Sequence, residues 1–388
     1  MDTRLNSNNS GSSRNWNILN WNIKGINSED KCNAIREKID ESDCAIFCIQ
    51  ETKREQFDHS FIRKLAPKRF NKFAFSPSEG ASGGILMGWN SAIFTGEVIQ
   101  INKFTVTVKF TSSHNRQTWT LSSVYGPCQG PERDNFVHWL NNLDINAEEN
   151  WMFAGDFNFY RSISDRNRDG ANMNDMMIFN EIISNLGLLE IPLKGRNFTW
   201  SNMQSAPLLE QIDWVFTTSN WTSDFPNTLL LPMARPTSDH IPCKIQIGTS
   251  IPKAHVFRFE NFWVEHPGFF DLVNSVWNSN VSATNSATRV TAKFKLLRAA
   301  LKKWSKGLSN LSCLIKNCNS TLEILDTLEE QRPLFLQEFN FRKILKKHIL
   351  KLLKHQKDYW KKDTLLGGLN FEMKVQNSFM LLQPKDTG

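Results

Sequence analysis

Apolar and polar positions alternate over short runs along the chain up to about residue 248. Successive side chains of a β-strand point to opposite faces, so this alternation predicts sheets with one covered face, as antiparallel sheets have. The predicted strands cover residues 16–23, 45–51, 83–89, 104–110, 118–125, 151–158, 212–217 and 242–247.

Helices are predicted between these strands. Residues 28–42 open with a serine that can cap the helix and with acids in the first turn. Residues 131–143 and 174–188 also fit helices, and the second of these ends near Gly187. Strands and helices interleaved with hairpins predict sheets packed face to face with helices outside them, and not a simple doubly wound sheet.

The pattern changes in the C-terminal part, where apolar residues recur at three and four positions and Gly307 is the single glycine between 288 and 362. We therefore predict a lead-in at 1–15, taken as disordered, a sandwich domain at 16–248, a connector at 249–287 and a basic helical region at 288–388. The helix predicted at 341–362 has an apolar side formed by Ile344, Leu345, Ile349, Leu352 and Leu353.

Charge follows the same division. The chain of 388 residues carries a net charge of +7, and residues 288–362 hold 18 Lys/Arg against 6 Asp/Glu. The basicity that could attract nucleic acid therefore lies in the helical region. Seven cysteines without a CxxC pair, no secretory signal and no long apolar run together predict a nuclear or cytoplasmic protein outside the membrane.

Polar side chains stand at the ends of several predicted strands. The segment "WMFAGDFNFY" (151–160) places Asp156 and Asn158 two positions apart, so in a strand they point the same way. Further polar residues at strand ends, in loops or inside an apolar segment are Asn22, Glu51, Tyr125, Asp213, Asp239 and His240.

Taken singly, each of these residues has an ordinary structural explanation, because Asp and Asn often cap turns and a lone histidine is often a hydrogen-bonded core residue. Taken together, they supply hard oxygen ligands for magnesium and a histidine that an acid can orient toward a phosphate. Asp156 could take a proton from water while Asn158 holds that water.

The order of seven short motifs then indicates a family. "NWNIKG", "CIQETK", "VYGP", "GDFN", "FTWS", "QIDWVF" and "SDH", spread over residues 16–242, resemble the endonuclease/exonuclease/phosphatase family of magnesium-dependent phosphodiesterases. The resemblance implies an α/β fold in which two mixed sheets pack together and helices cover both outer faces, a four-layer sandwich.

The resemblance also implies a metal site. Glu51 would be the principal ligand, with Asn22 beside it and Asp239 completing the acidic site, and the ion would be Mg²⁺ with Mn²⁺ as an alternative. Thr199 matches a substrate-binding position that lines the site. Lys24 departs from the repair members of the family, which carry an acid at this position, so abasic-site repair is not the expected activity.

Five residues would carry the catalytic step. Asp156 would activate or orient the attacking water together with Asn158. His240 would contact the scissile phosphate and be held by Asp213, while Tyr125 would hydrogen-bond the phosphate.

The segment "VFRFENFWVEHPGF" (256–269) resembles the connector of plant LINE-type non-LTR retrotransposon polyproteins, and the lysine-rich helices resemble the same polyproteins. The likeness stops after Lys362, and no YxDD motif of a polymerase occurs before Gly388. Reverse transcription by this chain is therefore not expected.

The basic helices have two interpretations. Their lysines could form a solvated face on helices packed through leucines, or they could bind nucleic-acid phosphates with little sequence preference. The second interpretation predicts DNA contacts, and RNA contacts as an alternative, at Lys302, Lys303, Lys346 and Lys347.

The leading hypothesis is a magnesium-dependent endonuclease that nicks DNA and derives from a non-LTR retrotransposon. One alternative is a catalytically inactive remnant that binds nucleic acid. Another is a phosphatase acting on a small phosphate ester, because the same fold can host several activities.

Overall fold

The computed structural model describes residues 13–80, 82–146, 148–252, 263–264, 266–282, 285–305 and 310–357. The chain forms two compact units, residues 1–253 with 318–350 and residues 254–317 with 351–388. Strand β1 begins at Ser13, inside the predicted lead-in, and the rest of that lead-in lies outside the described residues.

The first sheet of the larger unit has six strands in the order β13-β14-β1-β2-β4-β3. β1 and β2 are parallel and their other neighbours are antiparallel, so the sheet is mixed. Its strands are β1 (Ser13–Asn22), β2 (Ile46–Gln50), β3 (Lys72–Glu79), β4 (Ser82–Trp89), β13 (Leu229–Pro232) and β14 (Cys243–Pro252).

The second sheet also has six strands, in the order β5-β6-β7-β8-β12-β9, and again contains one parallel pair, β7 with β8. Its strands are β5 (Phe94–Asn102), β6 (Thr105–Ser112), β7 (Thr118–Tyr125), β8 (Trp151–Asp156), β9 (Leu189–Glu190) and β12 (Asp213–Thr217). A small third sheet pairs β10 (Trp200–Ser201) with β11 (Leu209–Glu210).

Helices flank the two sheets. Ser28 caps the first of them through its hydroxyl, which accepts from the backbone N–H of Lys31. These helices are α1 (Glu29–Ser42), α2 (His59–Leu65), α3 (Glu132–Asn141), α4 (Met173–Asn185) and α5 (Ser219–Asp224), with a 3₁₀ turn at Ile163–Asp165.

Two apolar layers hold the sandwich together. Between the sheets, Trp16, Phe94 and Trp119 pack edge to face or stacked among aliphatic residues of both sheets. Outside the second sheet, Phe136 of α3 and Phe179 of α4 pack against that sheet. The predicted fold class, two mixed sheets flanked by helices, is confirmed.

All eight predicted strands and the three predicted helices of this region are present, with ends shifted by a few residues. The elements that were not predicted are the long strands β3 and β5, the short strands β9, β10, β11 and β13, and the helices α2 and α5. The strand predicted at 242–247 continues to Pro252 as β14, where it pairs with the start of β1.

Between Phe269 and residue 357 the described residues are mainly helical, as predicted. In the smaller unit, α6 (Phe269–Trp277) and α7 (Ser286–Ser305) pack around Trp263, Phe269 and Leu301. Next come α8 (Asn310–Gln331) and a helix at 336–357, here α9. None of the helices in the described part of the chain has the length and apolar character that a membrane span needs.

The apolar side predicted for the last helix is correct except at one position. Leu345 and Ile349 are buried, as are Leu352 and Leu353, but Ile344 is 64% exposed. Position 342 takes the place of Ile344 in the buried stripe, and it holds an arginine whose charge is met by acids of α8. The predicted part of this helix beyond residue 357 lies outside the described residues.

Candidate functional site

The predicted polar residues meet where strands of both sheets end. In the first sheet, Asn22 closes β1 opposite Gln50, and Glu51 follows directly. In the second sheet, Asp156 at the end of β8 lies opposite both Tyr125 and Asp213. Because the two sheets pack face to face, these ends form one site.

Asp156 accepts hydrogen bonds from the site residues of both sheets. Its side chain is 1% exposed, and its Oδ2 accepts from the side-chain amides of Asn22 at 2.7 Å and Asn158 at 3.1 Å. Its Oδ1 accepts from the backbone N–H of Asn158 at 3.0 Å. Three N–H donors therefore fix the orientation of this carboxylate.

Asn158 is fixed by contacts with residues outside the predicted site. Its backbone is left-handed, with φ of 57°, and its side-chain amide also donates to the carbonyl of Gly126 at 2.7 Å. Arg133 of α3 donates to the carbonyl of Asn158 at 2.9 Å and lies 3.6 Å above the ring of Phe159. Arg133 was not predicted to act, although it stands in the first turn of α3, shortly after the "VYGP" motif.

His240 and Asp213 form the predicted pair. Nδ1 of His240 lies 2.9 Å from Oδ2 of Asp213, and its Nε2 lies 3.7 Å from Oδ2 of Asp156. Thr199 supports the pair from below, because its hydroxyl accepts from the backbone N–H groups of Ile212 and Asp213. Thr199 is 1% exposed, so in this structure it positions the backbone that carries Asp213. Its predicted contact with the substrate stays a prediction.

The buried trio of Asp156, Asp213 and His240 retains a proton near neutral pH. Burial disfavours the charged imidazole, but the carboxylates of Asp213 and Asp156 outweigh this effect and raise the pKa of His240 to about 9. Burial also raises the pKa of Asp156, while the charge of His240 and the N–H donors of Asn22 and Asn158 favour its ionised form. The histidine is thus available as a donor to a phosphate oxygen.

The loop that carries His240 is fastened to the first sheet. Ser238, with a left-handed φ of 66°, donates from its hydroxyl to the carbonyl of Asn22 at 2.8 Å. The indole N–H of Trp21 donates to the carbonyl of His240 at 3.0 Å. The serine of the "SDH" motif was not predicted to act, although its position directly before the acid and histidine was visible in the sequence.

Glu51 stands at the open side of the site. It has a left-handed backbone with φ of 52°, and its side chain is 15% exposed. Its Oε1 lies 3.5 Å from the ammonium of Lys53. Burial, with Glu51 and Asp156 nearby, raises the pKa of Tyr125 well above its ordinary value, so this phenol stays protonated.

Asp239 lies beside Lys24. The two side chains form an ion pair of 2.6 Å between Nζ and Oδ2, and their hydrogen bond raises the pKa of Lys24. Burial opposes ionisation of Asp239, but His240 and Lys24 outweigh it and lower the pKa of this carboxyl. Lys24 therefore contacts the acidic side of the site directly.

The donor set fits a hard divalent cation at Glu51 and Asn22. Both offer oxygen atoms, and in the described part of the chain the Oδ1 of Asn22 accepts only from the backbone N–H of Lys24, at 3.1 Å. Asp239 fits less directly, because Lys24 already binds its Oδ2. Magnesium as the ion and Asp239 as a ligand stay predictions.

A second group of potential ligands is the buried trio. The ligand-type atoms of Asp156, Asp213 and His240 lie within 4.8 Å of one another. However, Nδ1 of His240 is engaged by Asp213, and both oxygens of Asp156 already accept from amide donors. The trio is therefore better suited to holding a proton than a cation.

Backbone strain concentrates at the site. Left-handed φ values are uncommon for residues other than glycine and cost free energy unless the surroundings enforce them. Eight non-glycine residues of the described chain adopt them, and five of these belong to the site: Lys24, Glu51, Lys53, Asn158 and Ser238.

The predicted nucleic-acid lysines have different surroundings. Lys302, Lys303 and Lys347 are exposed. Lys346 is half-buried, and burial together with the nearby Arg235 and Arg342 lowers its pKa to about 7. Lys346 is therefore poorly suited to contact phosphates, and the contacts of the other three stay predictions.

Comparison with known proteins gives the following matches. A profile of the endonuclease/exonuclease/phosphatase family matches residues 19–240. A 149 kDa uncharacterized protein of transposon TX1 from Xenopus laevis is 27% identical over 171 residues, which are 42% of this chain and 13% of that protein's length. The matched part thus spans a small fraction of this relative.

Solved structures also match. The endonuclease domain of TRAS1, a telomere-specific non-LTR retrotransposon, is 14% identical with a TM-score of 0.46, and the match covers 60% of this chain and 98% of that one. An AP endonuclease from Archaeoglobus fulgidus is 14% identical with a TM-score of 0.48, over 60% of this chain and 100% of that one.

Proposed function

This chain belongs to the endonuclease/exonuclease/phosphatase family, and from that premise we propose that it is a divalent-metal-dependent phosphodiesterase that nicks DNA. The observation that carries the proposal is the junction of Asn22, Asp156, Asn158, Asp213 and His240, where a carboxylate held by three donors faces a protonated histidine. Such a junction is suited to in-line attack of water on a phosphodiester.

In the proposed mechanism, Asp156 and Asn158 hold the attacking water, and Asp156 accepts its proton. His240, kept protonated by Asp213, donates to an oxygen of the scissile phosphate as negative charge develops there. Tyr125 donates a further hydrogen bond to the same phosphate. The product would carry a free 3′ hydroxyl.

Glu51 and Asn22 would hold the metal ion, Mg²⁺ or alternatively Mn²⁺, with Asp239 nearby. When bound, such an ion would supply Lewis-acid stabilisation of the phosphoryl oxygens and of the leaving alkoxide. The partly exposed carboxylate of Glu51 and the oxygen-rich donor set support this assignment.

We propose DNA in the nucleus as the substrate and a non-LTR retrotransposon as the origin; RNA contacts through the basic helices and a cytoplasmic location remain alternatives. The 27% identity to a transposon protein supports the origin, and the plant LINE-type connector remains part of the proposal. Lys24, where repair members carry an acid, favours cutting of intact DNA over abasic sites.

The test is nicking of supercoiled plasmid by the purified chain, with Mg²⁺ and with chelator, beside the Asp156→Asn and His240→Ala variants. Metal-dependent nicking that both substitutions abolish would support the proposal. A folded parent that does not nick DNA would contradict it and favour the inactive remnant. Hydrolysis of a small phosphate ester without nicking would favour the phosphatase.

A further inference from the structure

Helix α8 presents a row of acids to the sandwich. Glu323, Asp326 and Glu330 recur at three and four positions, so they lie on one face of the helix. Glu323 accepts from the backbone N–H of Ala234 at 3.2 Å, and Glu330 accepts from Nε of Arg196 at 2.7 Å. All of these residues belong to the larger compact unit.

Arg235 connects this row of acids to the candidate site. Its side chain is 1% exposed, and its Nη2 lies 3.4 Å from Oδ1 of Asp326 and 3.9 Å from Oε2 of Glu329. Its Nη1 donates to the backbone carbonyl of Asp239 at 2.7 Å. A single guanidinium thus joins the acids of α8 to the residue that precedes His240.

Helix α9 closes the cluster from the other side. Arg342 lies 3.4 Å from Oδ1 of Asp326 and donates to Oε1 of Glu329 at 2.7 Å. The "α8 charge cluster" consists of Arg196, Arg235, Arg342, Asp326, Glu329 and Glu330, so that three positive charges face three negative ones.

Burying so many charges is costly, and an apolar contact would dock a helix equally well. The charged pairs do fix the position of the helix, because guanidinium–carboxylate hydrogen bonds are directional and form in few alternative registers. Arg235 also donates one N–H to the Asp239 carbonyl. The position of α8 along its axis therefore determines where the backbone of the "SDH" loop is held.

We propose that α8 positions the Asp239–His240 backbone through Asp326 and Arg235. Residues 318–350 would then be needed for the correct placement of His240 in the site. The proposal rests on the function proposed above. Arg235 is a positioning residue in this account, because it contacts the backbone beside His240 and not the reacting atoms.

The test compares Asp326→Asn, which keeps the side-chain shape, with the parent chain. One readout is the steady-state nicking rate at saturating and subsaturating DNA. The other is amide hydrogen exchange of the peptide covering residues 236–242, which needs no activity. Glu338→Gln is the matched control, because it breaks the Arg332–Glu338 ion pair of 2.7 Å in the same helical region without touching this loop.

We expect Asp326→Asn to lower the rate at saturating DNA by on the order of tenfold to a hundredfold, with little change in the half-saturating DNA concentration. Exchange in the 236–242 peptide should rise, and Glu338→Gln should change neither readout. If Asp326→Asn does not fold, Arg235→Lys, which keeps the charge but cannot span both contacts, should give the same two changes.

Folded variants with unchanged rate and unchanged exchange would overturn the proposal, as would a change confined to the half-saturating DNA concentration. The two proposals can also fail separately. If the parent does not nick DNA, the proposed function fails, while the exchange measurement still decides whether α8 sets the loop.

Discussion

The side-chain amide of Asn22 donates to Oδ2 of Asp156 over 2.7 Å, although 134 positions separate the two residues. Asn22 ends a strand of the first sheet and Asp156 ends a strand of the second. The hydrogen bond therefore crosses the sandwich, and the carboxylate is correctly oriented only when both sheets are packed together.

Replacing Asp156 by asparagine should remove most of the activity. The amide introduced by Asp156→Asn could not accept a proton from water, and its NH₂ group would face the donors of Asn22 and Asn158. General-base catalysis of this kind contributes on the order of 10²- to 10⁴-fold, so we expect a loss in that range in single-turnover plasmid nicking. Asp144→Asn, at an exposed acid, should retain parental activity; equal losses in both variants would contradict the assigned role.

Replacing Glu51 by glutamine should weaken the response to metal more than it weakens DNA binding. The neutral amide lacks the charge that draws a hard cation to the open side of the site. We expect the Mg²⁺ concentration for half-maximal nicking to rise by at least about tenfold, measured by titration of the metal at fixed DNA. Glu55→Gln, nearby and exposed, is the control, and an unchanged metal requirement in Glu51→Gln would remove Glu51 from the metal site.

Thr199→Val should destabilise the fold beneath the His240–Asp213 pair. Valine has the same shape as threonine, but it leaves the buried N–H groups of Ile212 and Asp213 without the hydroxyl that now accepts from both. Each unsatisfied buried donor costs about 1–3 kcal/mol, so the loss of the acceptor for two donors should lower the free energy of unfolding by about 2–6 kcal/mol in urea denaturation. Thr199→Ser keeps the hydroxyl and should lose much less.

The strands that carry the motifs could be predicted because each has a regular apolar and polar alternation. β5 was not predicted, since it is an edge strand whose middle is exposed and contains Gly96 and a bulge after Val98. A Cβ at position 96 would lie 2.8 Å from the ring of Trp89, so the glycine serves the close approach of an aromatic ring and interrupts the alternation.

The candidate site could be predicted where chemistry follows from residue type at a strand end, as for Asp156 and Glu51. Its supporting contacts could not, because they join segments that are far apart in the sequence. Asp239 meets Lys24 across 215 positions, and Arg235 meets Asp326 across 91. Such contacts depend on how elements pack, which no local pattern encodes.

Lys346 should make the stability of the chain depend on pH. Its folded-state pKa of about 7 lies below the value of about 10.4 in an unfolded chain. Between these values the unfolded state binds more protons, so stability rises with pH, and the penalty of the charged lysine is complete below pH 7. The groups around its ammonium are Arg235 and Arg342, which oppose protonation, and Asp326 and Glu329, which favour it.

We therefore expect Lys346→Met to be more stable than the parent at pH 6 and the difference to shrink steadily toward pH 10. Urea denaturation over this range measures it. Lys347→Met, at an exposed position of the same helix, should show no such trend. A Lys346→Met variant that is less stable than the parent at every pH would show that the lysine contributes favourably to the charge cluster.

Lys24 should contribute a phosphate contact, although its ammonium is paired with Asp239. The side chain is 53% exposed, so the ion pair is accessible to solvent and a DNA phosphate could share the ammonium. Burial lowers the pKa of Lys31, and the nearby Lys53 and Lys24 lower it further, so three lysines lie together at the rim of the site beside its acids. The affinity of a protein for duplex DNA falls as the salt concentration rises. Each phosphate that the protein neutralises adds about 0.9 to the magnitude of the slope of log affinity against log salt concentration.

Lys24→Met should accordingly weaken binding of uncleaved duplex in the presence of chelator and reduce the magnitude of the salt slope by about 1. The measurement is fluorescence anisotropy of labelled duplex over a series of salt concentrations. Lys68→Met removes an equally positive, exposed side chain from the turn before β3 and should leave the slope unchanged. If Lys24 only neutralises Asp239, the slope will stay at the parental value while nicking changes, because the charge removed would then never have displaced a counterion from DNA.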